Sequence, residues 1–363
     1  MNNKREAIES TTKNVRRFRN FEVSWAGPGR AKREFCLGSE KGKILMTDEE
    51  LKPTAFLGES PVTSEEAITG VAFLDNLIAV STRCEVALVT LRSENGGGFR
   101  SVFAAGAHGV IATPSGYCVA PLGRSGIMVV KPSPGESQLV TLKTVSDKSV
   151  NFYSVTHITH RGGEVLVCAI RKNGMAAMPF DSGRDEFVSS LTYSGLDIVD
   201  VCSLGHDLRT PAVAAASRDC TIVLSTDALH DPKPITIKFD DIKGTAYRIM
   251  HYNGSLILLT NRAIYVLAGL GRRFLDGEPV GLKPTPVKAI VLEAVDANIA
   301  DEQSLLVVVS DGVILFDLES LVGTVPNAHH DDEMAAAIPR DMSPHWQSHR
   351  TDIESENQLA PAG

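Results

Sequence analysis

The sequence contains few cysteines and none of the close cysteine pairs that bind metals or carry out redox chemistry. Only six of its 363 residues are cysteine, and the closest two, Cys202 and Cys220, are 18 residues apart. Each cysteine lies in or beside an apolar run, which predicts buried free thiols and not a disulfide framework. Free thiols favour a reducing compartment, of which the cytoplasm is the simplest.

Segments that would direct the chain into or across a membrane are also missing. No apolar run approaches the ~20 residues that span a bilayer, and residues 1–21 have no apolar core of the secretory type. The formal net charge of −8 argues against a protein that coats nucleic acid. We therefore expect a cytoplasmic protein that makes no membrane contact.

The short motifs of several common enzyme classes do not occur. The sequence has no GxSxG nucleophile elbow, no GxxxxGKS/T phosphate loop, no HExxH zinc motif and no EF-hand loop. Gly269-Leu270-Gly271 begins like a dinucleotide fingerprint, but the third glycine is missing and no helix is predicted after it. His157 and His160 are three residues apart in a predicted strand, so they point to opposite faces. These absences predict a protein with no metal, no cofactor and no catalytic activity.

What the sequence does contain is a repeat of two short apolar strands joined by a tight polar turn. Three clear copies are NLIAVSTRCEVALVTL from Asn76, SLILLTNRAIYVLAGL from Ser255 and SLLVVVSDGVILFDL from Ser304. Four weaker copies begin at Glu34, Gly116, Glu164 and Ala212. The copies recur every ~45 residues, which is the length of a four-stranded propeller blade.

Each hairpin is flanked by further candidate strands. An inner strand is predicted before every hairpin, at residues 21–27, 68–74, 107–113, 153–159, 198–204, 247–252 and 288–295. An outer strand is predicted after the hairpins of blades one to five, as in an up-and-down meander. The sequence therefore predicts an all-β fold, a seven-bladed β-propeller with four-stranded antiparallel blades. Six or eight blades stay open as alternatives, because the stretch 269–290 is longer than a normal connection.

One hairpin carries the residues of a known family. Ser217-Arg218-Asp219-Cys220-Thr221-Ile222 resembles the WD-repeat hairpin, which reads Ser-x-Asp-x-Thr-Ile before an apolar residue and Trp-Asp, and Val309-Ser310-Asp311-Gly312 is a looser match. No blade has the Trp-Asp dipeptide or opens with Gly-His, so the hydrogen-bond relay of the family is absent or replaced. The resemblance implies a WD-repeat-like propeller that binds partners on the face formed by its hairpin turns.

The chain divides by composition into three parts. Residues 1–20 have six basic and two acidic residues, residues 21–324 hold the propeller, and residues 325–363 have seven acidic and two basic residues. The last blade lacks a fourth strand after Leu318, and residues 12–20 or 340–351 are the candidates to supply it. The acidic segment is expected to be disordered, and Trp346 within it is a candidate docking residue.

The turns of six of the seven hairpins carry basic residues, and the repeat places these turns on one face. The basic residues are Lys41, Arg83, Arg124, Arg171 with Lys172, Arg218 and Arg262, and the seventh turn has Asp311. Such a ring gives an acidic protein a local positive field that suits carboxylate or phosphate groups. The alternative is that these residues are simply solvated, or pair with nearby acids such as Glu40, Glu85 or Asp219.

Three functions follow from these features, in order of preference. The first is a non-catalytic scaffold or adaptor subunit of a multiprotein complex, which binds one or more proteins. The second is a propeller that binds an anionic ligand, either an acidic or phosphorylated peptide or a nucleic acid, of which the nucleic acid is not favoured. The third is a metal-dependent hydrolase that uses inner-strand residues such as His157, Asp200 and Glu293 in the axial channel.

Overall fold

The structure is a computed structural model of the 363-residue chain. It describes residues 16–18, 21–56, 62, 65–74, 77–90, 100–104, 106–132, 139–142, 151–160, 163–172, 174–181, 186–187, 191–193, 196–205, 212–226, 233–280, 285–323 and 348–349.

Seven antiparallel sheets form the blades of a propeller, and in each blade the chain runs from the inner strand outward. The first strand, β1 (Arg16–Phe18), belongs to the last blade. Blade one contains β2 (Val23–Pro28), β3 (Phe35–Ser39), β4 (Ile44–Thr47) and β5 (Pro53–Phe56). Blade two contains β6 (Ile68–Leu74), β7 (Leu77–Thr82), β8 (Val86–Thr90) and β9 (Arg100–Phe103). Blade three contains β10 (Ile111–Ala112), β11 (Cys118–Pro121), β12 (Ile127–Pro132) and β13 (Leu139–Leu142).

The remaining blades follow the same plan. Blade four contains β14 (Phe152–His160), β15 (Gly163–Ile170) and β16 (Gly174–Asp181), with β17 (Glu186–Phe187) and β18 (Leu191–Tyr193) both paired to β16. Blade five contains β19 (Ile198–Ser203), β20 (Val213–Ser217), β21 (Ile222–Thr226) and β22 (Lys233–Ile237). Blade six contains β23 (Ala246–Tyr252), β24 (Ser255–Thr260), β25 (Ala263–Leu267) and β26 (Val287–Val291). Blade seven contains β27 (Ala294–Ile299), β28 (Ser304–Val309) and β29 (Gly312–Asp317).

The N-terminal segment closes the ring. Strand β1 pairs antiparallel with β29 and gives blade seven its fourth strand. The other candidate segment instead contributes β30 (Ser348–His349), which pairs with β22 as a fifth strand of blade five. Strand β27 contacts β2, so blade seven lies against blade one. The prediction of seven blades is confirmed.

Two predicted inner strands differ from the structure, and one helix was not predicted. Residues 107–113 were expected to form the inner strand of blade three, but β10 covers only Ile111–Ala112. Residues 288–295 were expected to form the inner strand of blade seven, but they are divided between β26, the outer strand of blade six, and the start of β27. The apolar residues of this stretch suggested a buried inner strand. Its first half is instead an outer strand at the rim of the propeller, where Ala289 and Val291 are exposed. The long stretch after β25 contains the unpredicted helix α1 (Leu270–Leu275), and α2 (Leu318–Val322) follows β29. No helix among the described residues is long and apolar enough to cross a bilayer.

The core lies between the blades. The buried apolar residues of the described chain form seven clusters, and each cluster joins the facing sides of two neighbouring blades. The cluster that joins blades seven and one includes Leu306, Val308 and Leu37. No blade therefore buries both of its faces alone, so the free energy of folding depends on closing the ring.

The cysteines follow the prediction with one exception. All six thiols are free, and Cys36, Cys118, Cys168 and Cys220 are buried. Burial raises the pKa of the Cys118 thiol to about 12. Cys202 is partly buried, whereas Cys84 is exposed because it lies in the turn between β7 and β8.

Candidate functional site

Buried hydroxyl groups shape the turns that carry the basic residues. Ser39, Thr82, Ser217 and Thr260 each lie at the end of the second strand of a blade and are at most 3% exposed. Each hydroxyl accepts hydrogen bonds from backbone N–H groups of the turn that follows, for example from Cys84 and Glu85 to Thr82 at 3.2 and 3.0 Å. Hydroxyls that bind their own backbone in this way favour tight turns.

The predicted basic residues lie where the sequence places them. Lys41, Arg83, Arg124, Arg171, Lys172, Arg218 and Arg262 all follow the second strand and precede the third strand of their blades. Because each turn joins the same two strands in the same direction, the turns emerge on one side of the ring. We call this side the turn face.

Three of these cations form ion pairs, although not with the acids expected from the sequence. Lys41 Nζ lies 2.7 Å from Glu22 Oε2. The two oxygens of Asp197 lie 3.5 Å from Arg171 Nε and 3.2 Å from Arg218 Nε. Both acids come from the chain that leads into an inner strand, not from the turns themselves.

Of the acids suggested by sequence proximity, Asp219 pairs with a lysine outside the turns. Asp219 contacts Lys238 at 3.2 Å. Partial burial alone would raise the pKa of Asp219, but hydrogen bonds, first from Ser217 and then from Thr221 and Lys238, lower it to about 2. Glu85 is buried and only 5% exposed.

Four basic residues of the turn face have no ion pair with a carboxylate within the described part of the chain. They are Arg83, Arg124, Lys172 and Arg262, and all four are exposed. Lys172 donates its backbone N–H to Asp197 at 3.2 Å, but its side chain is free of this contact. These four side chains remain available to a ligand.

A cavity of about 730 Å³ opens along the axis of the ring, lined by the inner strands of the blades. A bulge recurs near the start of the inner strand in six blades. The bulged residue often bonds the next blade, as Ser24 Oγ does to Ile68 O at 2.9 Å and Thr69 Oγ1 to Ala107 O at 2.8 Å. These bonds join consecutive blades at the channel mouth, where a bulge can re-aim a side chain.

An aromatic stack stands at this mouth. The rings of His108 and Tyr153 are stacked with centroids 4.3 Å apart, and the Arg171 guanidinium lies 5.6 Å from the Tyr153 centroid. His108, Tyr153 and Arg83 all line the cavity. Burial lowers the pKa of His108, and the positive charges of Arg171 and Arg83 lower it further. The sequence places His108 in the predicted inner strand 107–113, where no motif marks it as a site residue, whereas in the structure it lies in the connection before β10.

The channel wall of blades four to seven carries a chain of paired polar groups. Asp200 accepts hydrogen bonds from the Ser154 hydroxyl and, at 2.8 Å, from the Ile249 backbone N–H. Arg248 donates to Asp296 Oδ1 from Nη2 at 2.6 Å and from Nε at 3.2 Å. Asn298 Nδ2 then donates to Asp296 Oδ2 at 3.2 Å and to the Ala26 carbonyl of blade one at 2.8 Å.

Burial and neighbouring charges shift the pKa values of these paired channel residues in opposite directions. Burial raises the pKa of Asp200, against the opposing effect of the Arg248 charge. Burial alone would lower the pKa of Arg248, but Asp296 and then Asp200 raise it. These hydrogen bonds and ion pairs connect successive blades across the channel wall.

The channel residues considered for catalysis do not come together. His157 and Asp200 line the cavity, whereas Glu293 is exposed and lies outside its lining. The described residues contain no group of three His, Cys, Asp or Glu side chains placed to hold a metal. Trp346 lies outside the described residues.

Two exposed valines lie on the same side as the basic turns. Val291 is 77% and Val295 56% exposed, and they flank the connection from β26 to β27. Val291 pairs with Ala263, directly after the Arg262 turn, and Leu292 donates its N–H to the Arg262 carbonyl at 3.3 Å. Their exposure could not be read from the sequence, which places them in an apolar run.

Comparison with known structures agrees with this architecture. The β-propeller domain of Cps50 (Swd1) from Myceliophteria thermophila is similar with a TM-score of 0.61 and 14% identity, over 84% of this chain and 99% of that domain. No family model and no curated protein sequence matches the chain. The chain therefore has a WD-repeat-like, seven-bladed propeller fold. Because 1292 solved chains are similar to it, the fold alone does not select a function.

Proposed function

We propose that this chain is a non-catalytic scaffold or adaptor of the cytoplasm that binds a protein partner on its turn face. The observation that carries the proposal is the meeting of two kinds of exposed group on that face. Unpaired cations from four turns lie there together with Val291 and Val295. Exposed apolar side chains beside oriented charges are typical of protein interfaces.

A protein partner fits this face better than a nucleic acid does. Asp197 and Glu22 already pair with three of the basic residues, and their two negative charges reduce the positive field that a polyanion would meet. The exposed valines offer apolar contacts that a phosphate backbone cannot use. The likeness to the Cps50 (Swd1) propeller domain is compatible with a binding role.

The proposal is tested by capture from native lysate with two matched charge-reversal variants. The first variant changes Arg83, Arg124 and Arg262 to Glu on the turn face. The second changes Arg30, Arg33 and Arg272 to Glu; these exposed residues follow β2 and β25 on the opposite face. Both variants carry the same change in net charge and should keep the β-rich circular dichroism of the wild type.

We expect the wild type and the second variant to retain one defined partner and the first variant to lose it. Reversal of three charges at one interface removes favourable pairs and adds repulsion, which amounts to several kcal/mol. Retention by the first variant and loss by the second would move the binding surface to the opposite face and overturn the proposal.

A further inference from the structure

The cations of the turn face are unevenly neutralised around the ring. The basic sector, which we define as Arg83, His108, Arg124, Arg171 and Lys172 with Tyr153, covers blades two to four. Residues 95–135, which include most of blade three, contain no Asp or Glu. Arg124 and His108 therefore lie in a part of the chain that has no acidic side chain.

The molecule shows how it binds an anion between two turns. Asp197 lies in the chain that leads into blade five and bridges Arg171, from the turn of blade four, and Arg218, from the turn of blade five. One carboxylate thus joins cations of two consecutive blades.

The corresponding place between blades two and three has the cations but not the anion. The chain that leads into blade three is Gly106-Ala107-His108-Gly109-Val110, which has no acidic residue. Arg83 on one side and Arg124 on the other have no ion pair with a carboxylate among the residues that the structure describes. Glu85, the acid nearest to Arg83 in sequence, is buried and cannot present a carboxylate on this face.

We infer that the basic sector binds an acidic side chain of a protein partner, whose carboxylate takes between Arg83 and Arg124 the place that Asp197 takes between Arg171 and Arg218. This inference rests on the proposed function of the turn face and names the partner's chemistry there. Arginine pairs with carboxylates in two-point geometry, which suits such a bridge.

Two features make the site organised before a ligand arrives. A Cβ atom on Gly106 would lie 1.7 Å from the Arg83 carbonyl oxygen, so the connection passes directly against the turn that carries Arg83. The stacked rings of His108 and Tyr153 line the same cavity as Arg83, and the stem of an acidic side chain can pack against them there. The Arg171 guanidinium lies 5.6 Å from the Tyr153 centroid, and Arg83 lines the same cavity as the stack. Burial lowers the pKa of His108, and the charges of Arg171 and Arg83 lower it further.

The test uses purified full-length protein and a fluorescein-labelled hexaglutamate peptide, with hexaglutamine as the neutral control. Fluorescence anisotropy at low ionic strength measures the Kd for the wild type, for Arg83→Gln with Arg124→Gln, and for Arg218→Gln with Arg262→Gln. The two double variants lose the same charge from the same face. We expect the first to weaken binding roughly tenfold or more, because it removes charged hydrogen bonds, and the second to change it less than about threefold.

Three results would overturn the inference. Equal losses in both double variants would mean attraction to the face as a whole. Binding of a phosphoserine peptide without binding of hexaglutamate would assign the site to phosphoryl groups. Binding that appears only when Asp331, Asp332 and Glu333 are changed to their amides would mean that the chain's own acidic segment occupies the site.

The two proposals can fail separately. The turn face could capture a partner from lysate although the purified protein does not bind hexaglutamate. That result would leave the proposed binding function in place and exclude only the acidic ligand. Binding of hexaglutamate without any captured partner has the opposite meaning, because the site then exists without support for a scaffold role.

Discussion

The channel wall of blades four to seven and the turns of blades two and three treat charge in opposite ways. In the first group, Asp200, Arg248 and Asp296 are paired with each other or with neighbouring hydrogen-bond donors along the channel wall. In the second group, Arg83 and Arg124 are exposed, and within the described chain no carboxylate pairs with them. The buried charges link consecutive blades, whereas the exposed charges link nothing inside the molecule.

This difference separates the residues that hold the ring together from those that are free to bind. A buried charge that loses its partner is costly, so the channel wall should tolerate substitution poorly. An exposed unpaired cation contributes little to stability, so Arg83 and Arg124 should tolerate substitution well and show their importance only in binding. The following predictions test each half of this comparison through stability.

The largest loss of stability is expected for Arg248→Ala in the channel wall, where the charges are paired. The substitution leaves Asp296 without its ion pair and removes the nearby charge that favours ionised Asp200. Because the side chains of Arg248 and Asp296 are only 26% and 13% exposed, we expect the free energy of unfolding to fall by ~3 kcal/mol. Urea denaturation followed by circular dichroism measures this change.

Arg272→Ala is the control for an exposed ion pair. Arg272 lies 3.9 Å from Asp276, and these side chains are 64% and 59% exposed. Its removal should cost less than ~0.5 kcal/mol. Similar losses for Arg248→Ala and Arg272→Ala would show that the channel pairs do not hold the ring together.

A smaller loss of stability is expected for Gly106→Ala, in the connection beside the unpaired Arg83. The new Cβ would meet the Arg83 carbonyl oxygen at 1.7 Å, so the connection or the basic turn must move. We expect the free energy of unfolding to fall by ~2 kcal/mol and hexaglutamate binding to weaken with it. Gly109→Ala is the control, because the nearest atom to its Cβ, the Thr69 carbonyl oxygen, is 3.8 Å away. If both variants unfold like the wild type, the connection is not packed tightly against the turn.

The sequence was sufficient for the parts of this molecule that repeat. The seven hairpins and the positions of the basic turns could be predicted because the repeat relates each blade to the others. The ion pairs could not, because Asp197 and Glu22 reach the turns through folding of connections that have no repeated pattern. The Ser154–Asp200 and Arg248–Asp296 contacts were equally hidden, since each joins residues 46 or 48 positions apart in different blades.

The smallest effect is a pH dependence of stability that arises from Asp200 in the channel wall. Burial raises the pKa of Asp200 above that of an unfolded carboxyl, although Arg248, Ser154 and the N–H groups of Ile249 and Val201 oppose the shift. Between the two pKa values the folded state therefore holds a proton that the unfolded state has lost. The contribution of Asp200 to stability is complete below the unfolded pKa of about 3.9 and is lost as the pH rises through the folded pKa.

Asp200→Asn cannot titrate, so the Tm of the wild type minus that of the variant should fall as the pH is raised from 4 to 8, by an amount on the order of a degree or two. Differential scanning calorimetry at a series of pH values measures this difference. A difference that grows with pH would mean instead that the hydrogen bonds and Arg248 outweigh burial, so that the channel wall favours the ionised carboxylate.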